Sequence, residues 1–566
     1  KKFFSLQQKN RGKKLYPAES KRKSSHKYFA ISSAMLSVNE YKRHTGGLIA
    51  SLSIPWGFNK GDDDLGGYHL VWPRDMVQTA GGMLAARAFK DARRVLNYLM
   101  VTQEADGHWS QNMWLDGQPY WKGIQMDQTA LPIMLVDLVD RETRLSEADI
   151  KHFWPMIKKA ASYLVKHGPV TEQDRWEENA GYSTFTIAVE IAALLIAAGY
   201  ADYNNEPQLA NYLRETADSW NANIERWTYI TGSDLAKFVG VDGYYVRISS
   251  KGTSEAESGT DILTISNRQV GENICPANEM VSPDALALVR YGLRAADNPR
   301  VLNTIKVIDA TLKLHLQQGP LWYRYNGDGY GEHADGKPFN GTGIGRPWPL
   351  LTGERAHYEV AAGNFSRAEE LLKTMESYAN ETGLFPEQIW DSQDIPECGL
   401  YLGKASGSAM PLVWAHAEYV KLCRSLKAKR IFDMPSQTKE RYLISKTWSN
   451  IFIWNLKDKY THIPKGKTLR VQCQYPAVVR WTSDEWVTSH DVQAQDSGLG
   501  IHYADLATEQ LANGQKISYT FYWSEAGNVE NKEYTLFVDS EFAASTASTS
   551  QKNPPDQERS GFQVPT

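Results

Sequence analysis

Apolar residues recur with the three- to four-residue period of amphipathic helices from about residue 28 to about residue 427. About twelve such segments can be traced, at residues 28–44, 75–89, 90–104, 126–140, 147–167, 184–200, 206–227, 283–296, 299–317, 347–363, 366–380 and 407–426. The segment Ile187–Ala197 is apolar on nearly every face, which predicts an inner helix, whereas 206–227 and 366–380 carry charge on one face, as outer helices do. This alternation predicts a mainly α fold in which α-hairpins close into an (α/α)6 barrel.

The period of the pattern changes to two after about residue 428. Short alternating runs predict β-strands at 449–455, 468–473, 477–482, 517–523 and 534–538. Strands of this length and spacing are typical of a small β-sandwich. We therefore predict a basic lead-in or linker at 1–27, the (α/α)6 barrel domain at 28–427, a β-sandwich-like C-terminal domain at 428–542 and a disordered tail at 543–566. The tail has too few large apolar residues to offset the entropy of ordering.

The composition argues against several classes of protein. The chain has 566 residues, with 62 Lys and Arg against 66 Asp and Glu, and a net charge of −4 argues against a nucleic-acid binder. No run of about 18 apolar residues occurs, so no membrane span is predicted, and the first ~30 residues show no apolar signal-peptide core. The cysteines, Cys275, Cys398, Cys423 and Cys473, lack the spacing of a metal site or a disulfide scaffold. We expect no metal and no other cofactor.

The first motif that could carry chemistry is Trp72-Pro-Arg-Asp75, at the predicted start of a helix. Arg74 offers a fork of hydrogen-bond donors and Asp75 offers a pair of acceptors, and sugar hydroxyls need both. The alternative is a structural ion pair at the start of the helix. The preceding run Asp62–Asp64 is interpreted either as a set of calcium ligands or as a solvated acidic turn.

The second motif is rich in aromatic residues and runs from Trp121 to Asp127, with Trp109 and Trp114 nearby. The whole chain has 18 Trp, 29 Tyr and 17 Phe, which fits either a large aromatic core or surfaces that stack on sugar rings. An aromatic residue followed by an acidic residue at the junction of a loop and a helix could hold a pyranose. A buried tryptophan without a ligand is the alternative.

Two further motifs contribute carboxylates from separate loops. Asp174-Arg-Trp-Glu177-Glu178 precedes the apolar helix, and Glu387 lies in the long loop before the last helix. A nearby like charge and an apolar environment both raise the pKa of a carboxyl, as a general acid requires. Taken alone, each motif could be a charged surface loop. Together they provide the paired carboxylates that glycoside hydrolysis uses.

The chain contains no Walker sequence, Rossmann glycine fingerprint, GxSxG elbow or HExxH sequence. These absences leave no support for nucleotide, serine-hydrolase or zincin chemistry. A terpene-cyclase type of enzyme would need aspartates on a helix facing a pocket, whereas the dense acidic run here lies in a Gly-rich loop. A carbohydrate-binding or scaffold protein on the same frame remains an alternative, which the presence of both candidate glutamates disfavours.

Six blocks of the sequence, in order, resemble the bacterial branch of the glucoamylase and glucodextranase family, which are inverting exo-glycosidases of glycoside hydrolase family 15. The blocks are GGLIASLSIPWGFNKGDDDLGGYHLVWPRDMVQTA, YWKGIQMDQTALPI, DRWEENAGYSTFTIA, DGYYVRIS, GIGRPWPLLTGERAHYE and LFPEQIWD. The resemblance runs from about residue 45 to about residue 427 and implies the same (α/α)6 barrel that the helical pattern predicts.

The resemblance also implies catalytic roles. Glu177 matches the general acid of the family and Glu387 matches its general base. Glu178 and Asp174 match acidic residues that contact the substrate or tune the acid.

The resemblance further implies residues that bind the substrate. Arg74 and Asp75 match the pair that binds the glucose at the non-reducing end. Trp121 matches a tryptophan over the site, and Asp127 follows it in the same block. Arg324 matches a sugar-binding arginine, although the spacing to the next block differs from that of the fungal branch.

We therefore expect an exo-acting inverting α-glucoside hydrolase that releases β-D-glucose from the non-reducing ends of α-1,4-glucans. Glucodextranase or isomaltose-type α-1,6 activity and trehalase activity remain alternatives. The expected partner is an oligosaccharide or polysaccharide, with no nucleic acid and no membrane, and the protein is expected to be a monomer. The resemblance to the family is the one reason to expect a secreted or periplasmic location.

Two domain features depart from the family pattern. Bacterial members typically carry a large β-sandwich domain ahead of the barrel, and here only the short basic lead-in precedes it. The C-terminal β-region, with Trp481, Trp486 and Trp523, is interpreted either as a structural cap or as an analogue of a starch-binding module.

Overall fold

A computed structural model describes residues 23–57, 67–249, 261–457, 460–523, 528–530 and 532–539 of the chain. The predicted disordered tail, most of the basic lead-in and the acidic run Asp62–Asp64 lie outside the described residues. The described part is mostly helical, with β-sheets towards its C-terminal end. Contacts divide it into two compact units. The helical unit includes the described residues up to Ser449 together with Ser497–Ile501, and the β unit includes Asn450–Asp496 and the described residues from His502 onward.

Fourteen helices occur within the described residues. They are α1 (Lys23–Val38), α2 (Pro73–Ala85), α3 (Phe89–Val101), α4 (Met126–Thr143), α5 (Glu147–His167), α6 (Thr184–Tyr203), α7 (Pro207–Thr228), α8 (Asp234–Val239), α9 (Ala287–Arg290), α10 (Pro299–Thr311), α11 (Pro349–Ala361), α12 (Phe365–Ser377), α13 (Val413–Ala428) and α14 (Ser436–Thr438). Prolines stand in the first turns of α2, α7, α10 and α11, where a missing N–H costs nothing. Ser146 and Asp149 form a capping box at the start of α5.

The inner helices of the helical unit follow one another around a ring. Helix α2 packs against α4, α4 against α6, α6 against α9, α9 against α11, α11 against α13, and α13 against α2. The outer layer consists of α1, α3, α5, α7, α10 and α12. Five of them pack against inner helices, and α10 packs against the 3-10 turn Pro283–Leu286 that precedes α9. The alternation of apolar and amphipathic segments is therefore reproduced as an inner and an outer layer of helices.

Helix α6 has the length and hydropathy of a membrane span, and it is the one helix of the described residues that does. Of the stretch that meets this test, 94% is buried inside the fold. Helices α4, α5 and α7 pack against α6. Its apolar surface is therefore covered by other helices, as the sequence pattern predicts for an inner helix.

Two helical predictions are corrected by the structure. The segment 283–296 forms only a 3-10 turn, Pro283–Leu286, followed by α9, because the chain turns at Gly292 with φ of +76°. A side chain at Gly292 would lie 3.2 Å from the backbone nitrogen of Lys439, and the positive φ favours glycine at this position. In the segment 299–317 the helix ends at Thr311. Residues Lys313–Leu316 then form a strand that pairs with Gly319–Trp322.

The loops of the helical unit contain short two-stranded sheets. Their strands are β1 (Tyr182–Ser183), β2 (Tyr229–Thr231), β3 (Gly243–Tyr245), β4 (Ile248–Ser249), β5 (Ile262–Thr264), β6 (Ile274–Pro276), β7 (Lys313–Leu316) and β8 (Gly319–Trp322). Strand β1 pairs with β4, β2 with β3, β5 with β6 and β7 with β8. These pairs give fixed shapes to the long loops that carry the candidate site.

The β unit consists of two sheets that share one buried core. Its strands are β9 (Ile451–Asn455), β10 (His462–Pro464), β11 (Thr468–Cys473), β12 (Ala477–Thr482), β13 (His490–Gln493), β14 (Gln495–Asp496), β15 (His502–Leu506), β16 (Lys516–Trp523), β17 (Asn528–Val529) and β18 (Tyr534–Asp539). The order is β10-β18-β16-β12-β13 in one sheet, with β17 paired to β16, and β14-β15-β11-β9 in the other. Trp454 and Val471 from one sheet and Val479, Phe521 and Leu536 from the other are buried in the shared core.

The contacts place the division between the units after Ser449, whereas the change of pattern predicts it at about residue 428. The intervening segment is attached to the helical unit by ion pairs. Asp433 pairs with Arg290 at 2.7 Å, and Arg441 pairs with Asp218 at 2.5 Å. A period of apolar residues does not reveal such charged contacts, which explains the difference.

Candidate active site

A cavity of about 420 Å³ lies in the helical unit, and we call it the central cavity. It is lined by the candidate residues Arg74, Asp75, Trp121, Glu177, Glu178, Arg324 and Glu387. The two remaining candidates, Asp127 and Asp174, do not line it and are fully buried. The structure thus brings together residues from several separate motifs of the sequence.

Arg74 and Asp75 reach the cavity from the first turn of α2, where Pro73 begins the helix. The guanidinium of Arg74 donates to Gln125 Oε1 at 2.8 Å and to the carbonyl of Arg175 at 3.2 Å. Its Nε lies 3.2 Å from Asp127 Oδ2. Asp127 therefore supports Arg74 from behind the cavity and does not line the cavity itself. Burial raises the pKa of Asp75 to about 6, partly opposed by the adjacent Arg74.

Glu177 is presented by a tight turn before α6. Its φ is +63°, a left-handed conformation that is rare for residues other than glycine and is often found at functional sites. Its N–H donates to the carbonyl of Asp174 at 3.0 Å, and the side chain of Asp174 accepts from the N–H of Glu178 at 3.0 Å. Asp174 also pairs with Arg247, and both side chains are fully buried. Asp174 thus fixes the turn that carries Glu177 and does not line the cavity.

The pKa of Glu177 is raised to about 7 by burial, and the positive charges of Arg74 and Arg324 partly offset this effect. Glu178, the next residue, accepts from Tyr325 Oη at 3.0 Å and from the N–H of Ser266 at 2.7 Å. Glu177 is therefore the carboxyl of this turn that is best suited to hold a proton near neutral pH.

Arg324 lies on another wall of the cavity and is almost completely buried. Its Nε and Nη2 donate to the two carboxylate oxygens of Asp328 at 2.7 Å each. The guanidinium lies 5.1 Å from the ring centroid of Trp176 and 5.4 Å from that of Trp348. This bidentate pairing fixes the charge of Arg324 at the cavity wall.

Glu387 is buried, and its N–H donates to the carbonyl of Ala409 at 2.8 Å. The hydroxyl of Tyr68 donates to both carboxylate oxygens, at 2.7 and 2.9 Å. Burial raises the pKa of Glu387 to about 8, and the hydrogen bond from Tyr68 works in the opposite direction. A donor directed at both oxygens favours the ionised form of Glu387 and so opposes the effect of burial on this carboxyl.

Aromatic rings form much of the remaining wall. The ring of Trp56 lies 5.3 Å from each of the rings of Tyr330 and Phe339. Trp121 is 41% exposed and meets Trp72 edge to face at 5.8 Å, so it is not a buried core residue. A wall that combines aromatic faces with a few charged groups is suited to a small polar ring that has apolar faces, such as a sugar.

The sequence motifs do not single out several residues that line the cavity, among them Tyr68, Arg175, Asn267 and Tyr330. Tyr68 follows a pair of glycines and stands four residues before Trp72, and this position is the local signal that could have identified it. The others come from loops whose meeting point depends on the fold. Two carboxyls with raised pKa values in one cavity can supply a proton donor and a proton acceptor to the same reaction.

The chain belongs to the glycosyl hydrolases family 15, whose sequence profile matches residues 23–424. It is 41% identical over 412 residues to a glucoamylase from Clostridium sp. (strain G0005), an alignment that covers 73% of this chain and 55% of that protein. It is also 24% identical over 371 residues to an uncharacterized glycosyl hydrolase from Methanocaldococcus jannaschii, covering 62% of this chain and 50% of that protein. The chain thus spans about half the length of the curated relatives it matches.

The fold is similar to that of solved glucoamylases. A crystal structure of a bacterial glucoamylase complexed with acarbose matches with a TM-score of 0.66 and 40% identity, covering 74% of this chain and 57% of that chain. A glucoamylase from Saccharomycopsis fibuligera matches with a TM-score of 0.51 and 16% identity, covering 73% of this chain and 98% of that chain. The second similarity concerns the fold alone. The chain therefore has a glucoamylase-like, mostly helical fold.

Proposed function

We propose that this protein is an exo-acting, inverting α-glucoside hydrolase that releases β-D-glucose from the non-reducing ends of α-1,4-glucans. The observation that carries this proposal is the placement of Glu177 and Glu387 in one cavity with Arg74 and Asp75. The similarity to a glucoamylase over most of this chain supports the choice of reaction and substrate.

We also propose that the helical unit is an (α/α)6 barrel. The ring of inner helices and the outer layer described above support this assignment, and so does membership of the family. In such a barrel the cavity is built from loops at one end of the inner helices. Arg74 and Asp75 at the start of α2 and Glu177 shortly before α6 fit this arrangement.

In the proposed reaction Glu177 is the general acid. Its buried carboxyl keeps a proton near neutral pH and transfers it to the glycosidic oxygen as the bond to the anomeric carbon breaks. The positive charges of Arg74 and Arg324 nearby then stabilise the carboxylate that remains. The left-handed turn at Glu177 fixes the direction in which the proton is presented.

Glu387 is the proposed general base. Its carboxylate removes a proton from a water molecule, whose oxygen attacks the anomeric carbon from the face opposite the departing oxygen. Inverting hydrolases leave room for this water by holding their two carboxyls ~6.5–9.5 Å apart, against ~5–5.5 Å in retaining enzymes. The hydroxyl of Tyr68 supports the ionised state that this role requires.

Arg74, Asp75 and Trp121 are the proposed binding groups for the terminal glucose. Donors on Arg74 and acceptors on Asp75 fit its hydroxyls, and the partly exposed ring of Trp121 can cover one face of the sugar. Asp127 and Asp174 act indirectly in this scheme, through Arg74 and through the Glu177 turn.

The proposal is tested with maltotriose that carries a fluorescent label at its reducing end. An exo-acting enzyme working from the other end releases unlabelled glucose and labelled maltose first. Labelled glucose as the first product would contradict the direction of attack. The absence of any cleavage by the folded protein would contradict the proposed activity on α-1,4 bonds.

A further inference from the structure

Two tyrosine hydroxyls and the Glu387 carboxylate form a short chain of hydrogen bonds at the wall of the central cavity. Tyr68 Oη lies 2.7 and 2.9 Å from the two oxygens of Glu387, and 2.5 Å from Tyr330 Oη. Tyr68 and Glu387 are buried, so water competes poorly for these hydrogen bonds.

The number of available protons determines which group donates and which accepts in each of these hydrogen bonds. A phenol has one proton to donate, and an ionised carboxylate has none. When Glu387 is ionised, the proton of Tyr68 is directed at it, so the bond between the two phenols requires the proton of Tyr330. Tyr330 therefore donates to Tyr68, and Tyr68 donates to Glu387.

Tyr330 is placed firmly enough for this arrangement to persist. Its ring lies 5.3 Å from that of Trp56 and 4.9 Å from that of Phe339, edge to face in both cases. The guanidinium of Arg324 lies 4.9 Å from the ring centroid. The N–H of Tyr330 donates to Asp328 at 2.9 Å. These contacts fix both the ring and the backbone of Tyr330.

We propose that Tyr330 is a positioning residue for the general base, which acts through Tyr68 to keep Glu387 ionised and aligned for proton removal. Donation by Tyr330 polarises the Tyr68 hydroxyl and strengthens the hydrogen bond that Tyr68 makes to the carboxylate. The inference rests on the proposed function, because it assigns Tyr330 a role in the reaction that Glu387 is proposed to carry out.

The hydrogen bonds that link Tyr330, Tyr68 and Glu387 meet a requirement of the proposed reaction. Burial raises the pKa values of both Glu177 and Glu387, yet the reaction needs a proton on Glu177 and none on Glu387. The other titratable or charged groups that act on Glu387 are Arg324, which favours its ionised form, and Asp75, which disfavours it. Arg324 acts on Glu177 in the same direction, so it does not distinguish the two carboxyls. The hydrogen bonds of the two tyrosines end on Glu387, although Tyr330 also lies close enough to Glu177 for the charge of that carboxylate to raise the pKa of Tyr330.

The test compares Tyr330→Phe, Tyr68→Phe and the double variant, each of which keeps the aromatic ring. The acidic limb of the kcat/KM profile reports the pKa of the base in the free enzyme. We expect Tyr68→Phe to move this limb to higher pH by about one unit, since it removes a hydrogen bond to a charged group. Tyr330→Phe should move it in the same direction by a few tenths of a unit. Because Tyr330 acts through Tyr68, the double variant should match Tyr68→Phe alone.

A control variant removes a comparable hydrogen bond elsewhere. Tyr323 donates to Asp391 at 2.6 Å, and neither residue lines the central cavity. Tyr323→Phe should leave the acidic limb unchanged. Infrared difference spectra across a pH titration, with the Glu387 band identified by its loss in Glu387→Gln, give the pKa of this carboxyl without relying on turnover.

An unchanged acidic limb and an unchanged infrared pKa in Tyr330→Phe would overturn the inference. So would shifts that simply add in the double variant, because Tyr330 would then act on the cavity by a separate route. A higher KM without any change in the pH profile would likewise assign Tyr330 to substrate contact alone. The proposed function fails by a different result, namely no release of glucose by the unmodified protein, and the infrared titration then still decides the role of Tyr330.

Discussion

Arg247 pairs with Asp174 beneath the turn that presents Glu177, and both side chains are fully buried. Arg247 also donates to Asn179, and its guanidinium lies 4.4 Å from the ring centroid of Tyr325. The carboxylate of Asp174 in turn accepts from the N–H of Glu178. The buried pair therefore determines the geometry of a turn whose central residue has a left-handed backbone.

This arrangement predicts that Asp174→Asn destabilises the protein and lowers kcat. An amide keeps the shape of the side chain but leaves the buried Arg247 without its countercharge, a loss that costs about 3 kcal/mol of unfolding free energy. Looser placement of Glu177 should lower kcat more than it changes KM. Urea unfolding and steady-state kinetics measure the two effects. Unchanged stability together with a raised KM would instead assign Asp174 to direct substrate contact.

The proposed roles of the two glutamates predict different losses in their glutamine variants. Either Glu177→Gln or Glu387→Gln should lower kcat on maltotriose by ~10²–10⁴-fold, the usual contribution of general acid–base catalysis. On α-glucosyl fluoride, whose leaving group needs little protonation, Glu177→Gln should recover much of its activity while Glu387→Gln should not. Glu359→Gln, which alters a glutamate paired with Arg355 away from the cavity, is the control. Equal behaviour of the two variants on the fluoride would contradict the assignment of acid and base.

The charge of Asp75 predicts a shift of the pH profile. Asp75, when ionised, raises the pKa values of both Glu177 and Glu387, because burial limits the screening of its negative charge by water. In the proposed mechanism activity requires Glu387 without a proton and Glu177 with one, so the pKa values of these two carboxyls set the limbs of the pH profile. Asp75→Asn should therefore move both limbs of the kcat/KM profile to lower pH, besides weakening glucose binding. Limbs that stay in place would show that Asp75 does not act on either carboxyl.

A buried ion network predicts a stability effect that depends on pH. Burial disfavours the charged form of Asp433, but Arg290 and Lys421 outweigh this and hold its pKa well below the usual range. A carboxyl with a lowered pKa stabilises the fold above its unfolded pKa of about 3.9, and this contribution is lost as the pH falls below that value. Asp433→Asn should therefore lower the free energy of unfolding by about 3 kcal/mol at neutral pH.

Chemical denaturation of Asp433→Asn and the unmodified protein over a range of pH checks this prediction. The difference between them should shrink as the pH falls through about 4. Lys151→Met, which removes an exposed partner of Glu147, serves as a control and should leave stability nearly unchanged at every pH, because water and salt screen an exposed ion pair. A difference for Asp433→Asn that does not vary with pH would contradict the ionic origin of its effect.

Local patterns in the sequence predict most of the helices because each inner or outer helix repeats its own period of apolar residues. The helix predicted at 283–296 fails because Gly292 ends it with a left-handed turn that fits against Lys439, far away in the sequence. The carboxylates Glu177 and Glu387 stand out because each lies within a recognisable block. Tyr68 and Arg247 also lie within such blocks, but their contacts could not be predicted, since the hydrogen bond from Tyr68 to Glu387 and the ion pair of Arg247 with Asp174 join loops that only the fold brings together.

The most direct test of the account is time-resolved proton NMR of the protein with maltotriose and, separately, with isomaltotriose. Anomeric signals report whether glucose is released, from which linkage, and in which form before mutarotation mixes the two anomers. The account predicts that β-glucose appears first and that it is released faster from maltotriose. Early α-glucose would contradict the inverting roles of Glu177 and Glu387, and faster release from isomaltotriose would contradict the preference for α-1,4 bonds.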